Sequence, residues 1–428
     1  LHRLIRRQRQ MCIRDRYYDA LEKVKSGVSL GLPLSNQLRT SGLFPPMVVH
    51  MVGIGEETGN VEEMLTNSAV YYEEEVEVQT QTLTSLMEPI IIVLMAFVVV
   101  LLILYLGILF ADFLAPYSKE FSDRHRAYVP PSKIFTIDEN GRLSRPYTYN
   151  YKRYFNPEEL KITYKLDRSK KYYLKFFSKG EKYKFLGLIP MERHLVTVDP
   201  DGRLFLLGTD INGRDIFSRI LFGGRISLTI GFLALFISFP LGMLYGGISG
   251  YLGGVADNLM MRVSEAIMSI PSFYLLIILA AILPTNMTSI QRFTLITVIL
   301  ALIGWAGFSR VVRGMVLSIK NQEFVQAAES IGASKLRIIV KHLLPQTLSY
   351  VIVAMTLSVP SYILAESGLS FLGLGIQQPD ASWGNMLKEA QEYVNIIYRP
   401  WLLTPGFLIF IAVLSFNLIG DTIRDILD

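Results

Sequence analysis

Apolar residues in this chain gather into long uncharged blocks divided by polar connections, the pattern of membrane helices rather than of alternating core and surface positions. Pro89 to Phe110 carries no charge and would measure roughly 33 Å as a helix, enough to cross a bilayer core. Further uncharged blocks are Ile226–Ala256, Ala266–Gln291, Phe293–Ser309, Leu343–Ala365 and Trp401–Gly420, so six spanning helices are expected. The first block lies too deep and runs too long for the apolar core of a signal peptide. Arg310, Arg313, Lys320, Lys335, Arg337 and Lys341 crowd the connection between the fourth and fifth blocks, which places that connection in the cytoplasm. Alternation then puts 112–225, 285–292 and 373–400 outside, and 249–264 and both termini inside.

Between the blocks the pattern changes period. In residues 17–88, Val61, Leu65, Tyr72 and Val76 keep helical spacing, and Asn60 with Glu63 predicts a capping box. Residues 112–207 read as strands and turns. Asp138–Gly141 and Asp199–Gly202 are turn signals, and Lys179-Gly180 is expected to close a hairpin between Lys171–Phe177 and Glu181–Leu186. Residues 1–16 carry six arginines and resemble a translated sequencing adapter, so they are read as an artefactual lead-in outside the fold.

Composition narrows the function classes. The hydrophobic fraction is 51% and the charged fraction 18%, below the roughly 25% of soluble domains. A single cysteine, Cys12, excludes an intramolecular disulfide or a multi-cysteine metal site, and five scattered histidines without an HExxH offer no metal-ligand pattern. The net charge of +5 reads as membrane topology, since no basic run has the aromatic interleaving of a nucleic-acid surface.

Gly208-Thr209-Asp210-Ile211-Asn212-Gly213 has the glycine spacing of a phosphate loop, but Arg214-Asp215 follows where Lys-Ser/Thr would be needed, so no nucleotide site is expected. Asp215 and Arg219 stand four apart and could pair on an interfacial amphipathic helix. Glu366, directly after the fifth apolar block, is read as an intramembrane carboxylate close to the outer surface, where a cavity-mouth or structural role outweighs ion relay. Arg310 and Arg313 are explained by snorkelling at a helix end, and Pro240, Pro271 and Pro360 by helix bends or cavity-lining breaks. In the basic connection, Gln326, Ala327 and Ala328 are followed by Gly332, a left-handed helix stop, by Ser334 as the next cap, and by His342, Leu344 and Pro345.

The spacing from Gln326 to Pro345 resembles the EAA loop of ABC-importer permeases, with Gln326 in place of the usual Glu and His342 in place of Ile. Gly208, Thr209 and Asp210 with Gly213, Arg214 and Asp215 resemble motifs of the C-type permease subunit of dipeptide and oligopeptide importers. So do Arg225 in Gly224–Leu228, Glu366 and Gly368 in Ala365–Gly373, Ser382, Trp383 and Gly384 in Ser382–Leu387, and Asn417 and Asp421. The resemblance covers about residues 100–428. It implies an all-α integral membrane protein with the type I importer-permease fold and a small β-rich extracytoplasmic insertion at 112–207. It also implies a non-catalytic subunit of a bacterial or archaeal plasma membrane that binds no cofactor, with ATP and magnesium used by partners. Those partners would be a second, B-type permease, two cytosolic ATPases docking on the loop at 318–345, an extracytoplasmic solute-binding protein and a peptide substrate.

Gly55-Glu56-Glu57-Thr58-Gly59, the acidic helix after it and Leu86-Met87-Glu88-Pro89 resemble instead the F-type platform protein of type II secretion and type IV pilus assembly. The two resemblances meet at Ala96–Val100, inside the first membrane helix. The expected organisation is a lead-in at 1–16, a platform-like helical fragment at 17–96, the rest of the first span at 97–111, the insertion at 112–207 and the permease domain at 208–428, joined in a chimeric gene model. The alternative function is an inner-membrane assembly platform.

Overall fold

The computed structural model describes residues 2–138, 141–157, 161–284 and 286–427. These form two compact units, one ending at Met95 and one spanning Ala96–Leu427. The first is helical: α1 (His2–Ser29), α2 (Leu34–Ser41), α3 (Pro46–Thr58) and the start of α4 (Val61–Leu109). α1 runs through the arginine-rich lead-in without a break. Val24, Leu38, Val49 and Val52 make a small core. Glu56 accepts hydrogen bonds from Ser35 Oγ (2.6 Å) and Ser35 N (3.1 Å), capping α2, and these donors hold its carboxyl below the ordinary range. Gly59 ends α3 in the left-handed conformation. Asn60 and Glu63 bond side chain to side chain at 2.6 Å, and the Asn60 N–H goes to the Gly55 carbonyl, so the contact is not the reciprocal side-chain-to-backbone pair of a capping box.

In the second unit α4 ends at Leu109 and a short α5 (Ala111–Leu114) follows. The insertion forms two separate antiparallel sheets. One orders β1 (Phe135–Ile137), β2 (Leu143–Asn156) and β3 (Lys161–Tyr173); the other pairs β4 (Lys175–Phe185) with β5 (Ile189–Thr197). The hairpin between the last two turns at Leu186–Leu188, not at Lys179-Gly180. Gly180 lies inside β4 because the His194 ring fills the space its Cβ would need. Asp199–Gly202 is a turn, closed by Gly202 N–H to Asp199 O at 2.8 Å. Of the turn signal at Asp138–Gly141, Glu139 and Asn140 lie outside the described residues.

The remaining chain is helical: α6 (Ile216–Leu252), α7 (Gly254–Met268), α8 (Ser272–Ala281), α9 (Ser289–Ile319), α10 (Glu323–Ser330), α11 (Lys335–Ile338), α12 (Leu348–Phe371), α13 (Trp383–Met386), α14 (Tyr393–Tyr398) and α15 (Thr404–Leu427). Five helices among the described residues are long and apolar enough to span a membrane, or six if α7 and α8 count as one. The chain is thus mostly helical with small antiparallel sheets, the fold class the sequence predicts.

Three details refine the expected layout. The block expected as one span at Ala266–Gln291, bent or broken at its proline, is broken there into α7 and α8, which meet at 76°. Helices α6 and α12 run on through Pro240 and Pro360. The expected inner loop at 249–264 is almost entirely helix, with a single break at Gly253.

Packing of the spans rests on small residues. Gly242, Gly246 and Gly250 fall on one stripe of α6, and α9 approaches so closely that a Cβ at Gly250 would sit 2.9 Å from the Arg313 carbonyl. Around this seam Leu228, Ile230, Ala234, Ile296, Ala301, Ile363 and Leu369 form the main core.

Candidate functional site: a basic loop and a buried motif cluster

The predicted site residues fall into two groups. The first is the basic loop between α9 and α12. α10 stops at Ile331, and Gly332 follows at φ +78°, its N–H bonded to Glu329 O (2.9 Å) and the Ala333 N–H to Ala328 O (3.0 Å). That left-handed turn is one an L-residue adopts only with strain, so a glycine stands there. Ser334 occupies the next cap position but makes no side-chain cap bond; the turn is held by backbone alone. Val325, Ala328, Ile338, Ile339, Leu343 and Leu344 face inward onto Val312 and Val316 of α9. The opposite side is open: Gln326, Ala327, Gly332 and Pro345 are exposed, His342 is half-buried, and Ile331 is 86% and Leu336 60% exposed. The loop is therefore a packed base carrying a mixed apolar and basic rim.

The base is tied to the spans by charge. Arg313 of α9 donates to both oxygens of Asp257 on α7, each at 2.5 Å, and Ser249 of α6 donates to the same carboxylate. Arg313 is thus an ion-pair partner rather than a snorkelling cation; Arg310 is exposed. Sequence reading missed Asp257, although a lone acid between two apolar blocks is itself a signal of a buried partner.

The second group lies at the other end of α6. Gly208-Thr209-Asp210 and Gly213-Arg214-Asp215 fold back on each other through a Thr209–Asp215 bridge. Asp210 accepts from Asn212 N (2.9 Å), Arg214 N (3.0 Å) and Arg214 Nε (2.6 Å), so the loop spends its donors on its own carboxylate instead of on a phosphate. Asp215 does not pair with Arg219. It caps α6, accepting from Ser218 N (2.8 Å) and Ser218 Oγ (2.6 Å), while Arg219 reaches the Pro379 carbonyl and Gln378 and α6 continues as one helix with no separate interfacial segment. Burial pushes the Asp215 carboxyl up to about 7; burial, and then Asp210 nearby, push Glu389 to about 7 as well. Glu389 also accepts from the Ile211 N–H at 3.0 Å.

Beneath this loop, Ser382 and Asn385 form a reciprocal capping box that starts α13. Trp383 is fully buried, its ring N–H donating to Ile220 O (3.0 Å) and its backbone N–H to Ser227 Oγ (3.0 Å). Ser227 in turn donates to Glu366 (3.0 Å), which also accepts from Ser370 (2.6 Å). Glu366 is fully buried, with the Ser227, Ser367 and Ser370 hydroxyls donating to its carboxylate. Gly384 packs so tightly that a Cβ would lie 2.6 Å from Ser367 Cα. Gly368 is half-buried against Phe273. Arg225 donates to Asp112 (2.7 Å) and to the last carbonyls of α4, Ile108 (3.1 Å) and Leu109 (3.2 Å). Asn417 is half-buried and Asp421 exposed on α15.

Against known families, residues 238–428 match the binding-protein-dependent transport system inner membrane component. A dipeptide transport system permease protein of Bacillus subtilis is 45% identical over 52% of this chain and 67% of its own length. The chain belongs to this inner-membrane component family. An oligopeptide transport system permease protein of Haemophilus influenzae is 45% identical over 52% of the chain and 69% of its length, and the nickel transport system permease protein of Escherichia coli K12 is 37% identical over 54% and 80%. A solved inward-facing MetNI methionine ABC transporter aligns over 49% of this chain and 96% of that one at 20% identity, with a TM-score of 0.38. Residues 1–109 match the type II secretion system protein F family, a match that includes the arginine-rich lead-in. As an ABC permease the chain is a multi-pass inner-membrane protein without catalytic function of its own, and its family works with ATPase partners.

Proposed function

We propose that residues 97–428 form the C-type permease subunit of an ATP-driven importer of dipeptides or oligopeptides. The subunit makes half of the translocation pathway and pairs with a B-type permease. A solute-binding protein delivers peptide from outside, and two cytosolic ATPases hold the loop at 318–345. Nucleotide-driven closure of those ATPases shifts the permease between inward- and outward-open states. The observation that carries this reading is the loop itself, a base packed on α9 with Gln326, Ala327, Ile331 and Gly332 left open on its rim. Positive residues along it support a cytosolic position, which puts the insertion and both sheets outside and the C-terminus inside. The dipeptide and oligopeptide relatives support the substrate class. Gly332→Asp tests the reading. Asp tolerates the left-handed turn better than most residues, so the fold should survive while a charge enters the docking rim. Loss of transport and of transport-coupled ATP hydrolysis, in membranes holding normal amounts of assembled importer, is expected; wild-type coupling would overturn it.

A second reading attaches to residues 17–96 alone, as a fragment of an assembly-platform protein. The family match over 1–109 supports it, and the boundary between compact units at Met95 and Ala96 supports a seam near 96–100. One uninterrupted sequencing read across those codons and the neighbouring genes tests the chimera. A broken frame beside ATPase and binding-protein genes is expected; a continuous frame among secretion genes would contradict it.

A further inference from the structure

The β4–β5 hairpin ends in an apolar tip that the permease reading does not use. Leu186, Leu188 and Ile189 are 48%, 82% and 57% exposed, although they stand in a polar, lysine-rich insertion. Leu186 holds φ +50°, a left-handed position where a hairpin ordinarily places Gly or Asn. A bulky apolar residue in a strained, exposed turn marks a surface kept for contact.

The height of that tip is fixed by the end of a membrane span. Phe185 lies against Phe110, ring centroids 5.6 Å apart, and the Leu186 N–H reaches Asp112 Oδ2 at 3.4 Å. Phe110 and Asp112 immediately follow α4, whose apolar stretch runs to Leu109. The hairpin is held there: His194 of β5 places one ring nitrogen 2.8 Å from Ala115 O and the other 2.9 Å from Glu181 O. Exposed Leu106, Leu109 and Phe110 continue the same apolar surface onto α4. Lys182 and Lys184, exposed on β4, stand just behind the tip, at headgroup level if the tip is in acyl chains. Apolar residues ahead of lysines at the end of a span are the arrangement of an interfacial anchor.

We infer that the Leu186–Ile189 turn dips into the outer leaflet of the bilayer, with Lys182 and Lys184 on lipid phosphates. This rests on α4 spanning the membrane and not on the identity of the transported substrate. The test uses the full chain in its assembled importer, in liposomes of zwitterionic and anionic phospholipid. Cys12 is replaced by Ser and an environment-sensitive fluorophore is placed on Leu188→Cys, with Ile189→Cys as a second position and Asp201→Cys, in the turn at 199–202, as the aqueous control.

The tip should reach about 5–10 Å into the interface, as interfacial segments do. Blue-shifted emission is expected at 188 and 189, quenched more by nitroxides near the glycerol end of the acyl chain than by nitroxides at the bilayer centre, with no such quenching at 201. Emission typical of water, quenched by aqueous iodide and not by lipid nitroxides, would overturn the inference. A blue shift that appears only when the solute-binding protein is added would overturn it too, making the tip a protein-docking surface. Failure of transport in Gly332→Asp bears on the coupling loop alone and leaves this result readable.

Discussion

The basic loop and the buried motif cluster sit at opposite ends of α6 and are built on opposite principles. In the cluster, motif residues are partners of one another: Trp383 bonds Ser227, Ser227 bonds Glu366, Asp210 bonds Arg214. In the loop, buried Ala328, Leu343 and Leu344 form a base, and the remaining motif residues bond only locally or face outward. A recurring residue can thus be kept for the neighbour it locks or for the surface it leaves open, and burial tells the two apart. Substitutions in the cluster should cost stability, and substitutions on the rim should cost coupling.

The largest effect should come from Asp257→Ala, below the loop. It removes the charge-assisted bonds from Arg313 and Ser249, leaves a partly exposed guanidinium, and should destabilise the protein by about 2–3 kcal/mol, read as a large fall in melting temperature in detergent. Gly384→Ala comes next, because its Cβ would overlap the Ser367 backbone. Overpacking of this kind typically costs about 1–3 kcal/mol, seen as reduced accumulation in the membrane. Trp383→Phe removes the buried ring N–H bond to the Ile220 carbonyl, which keeps its own helical donor within α6, a loss of about 1 kcal/mol in the same melting assay. The two cluster variants, Gly384→Ala and Trp383→Phe, should leave per-molecule coupling intact in the fraction that folds, whereas Gly332→Asp should do the reverse.

The smallest effect is a pH dependence. Asp215 and Glu389 are raised to about 7 in the folded chain, above ordinary carboxyl values, so the folded state holds protons that the unfolded state releases. Stability from this source is fully present below the unfolded carboxyl pKa and is lost progressively as pH rises from there through about 7. Melting temperatures measured between pH 5 and 8 should fall with rising pH, and Glu389→Gln should flatten part of that slope.

Much of this was legible in the sequence. Uncharged blocks located the spans, and Gly332 announced its turn. The rest depended on tertiary packing. Pro240 and Pro360 are carried within tightly packed stretches, beside Ser238, Phe239 and Gly242 in one helix and Val359 and Tyr362 in the other. Residues 268–274 around Pro271 are exposed, so little packing offsets the hydrogen bond that the proline removes. Lys179-Gly180 looked like a turn because the sequence does not show the His194 ring that requires a glycine there. Asp215 and Arg219 have the spacing to pair, but a cap residue has left the helical conformation and turns its carboxylate back to Ser218.

The central claim is that the rim of the basic loop is where the ATPases hold this subunit, while the buried cluster holds only itself. The most direct measurement is cysteine cross-linking in the assembled importer, with Cys12 replaced by Ser, comparing Ala327→Cys on the rim with Ser382→Cys in the cluster. Ala327→Cys should cross-link to an ATPase subunit with a yield that changes on adding ATP, and Ser382→Cys should give no such product. An assembled importer in which Ala327→Cys never reaches an ATPase, with or without nucleotide, would contradict the account.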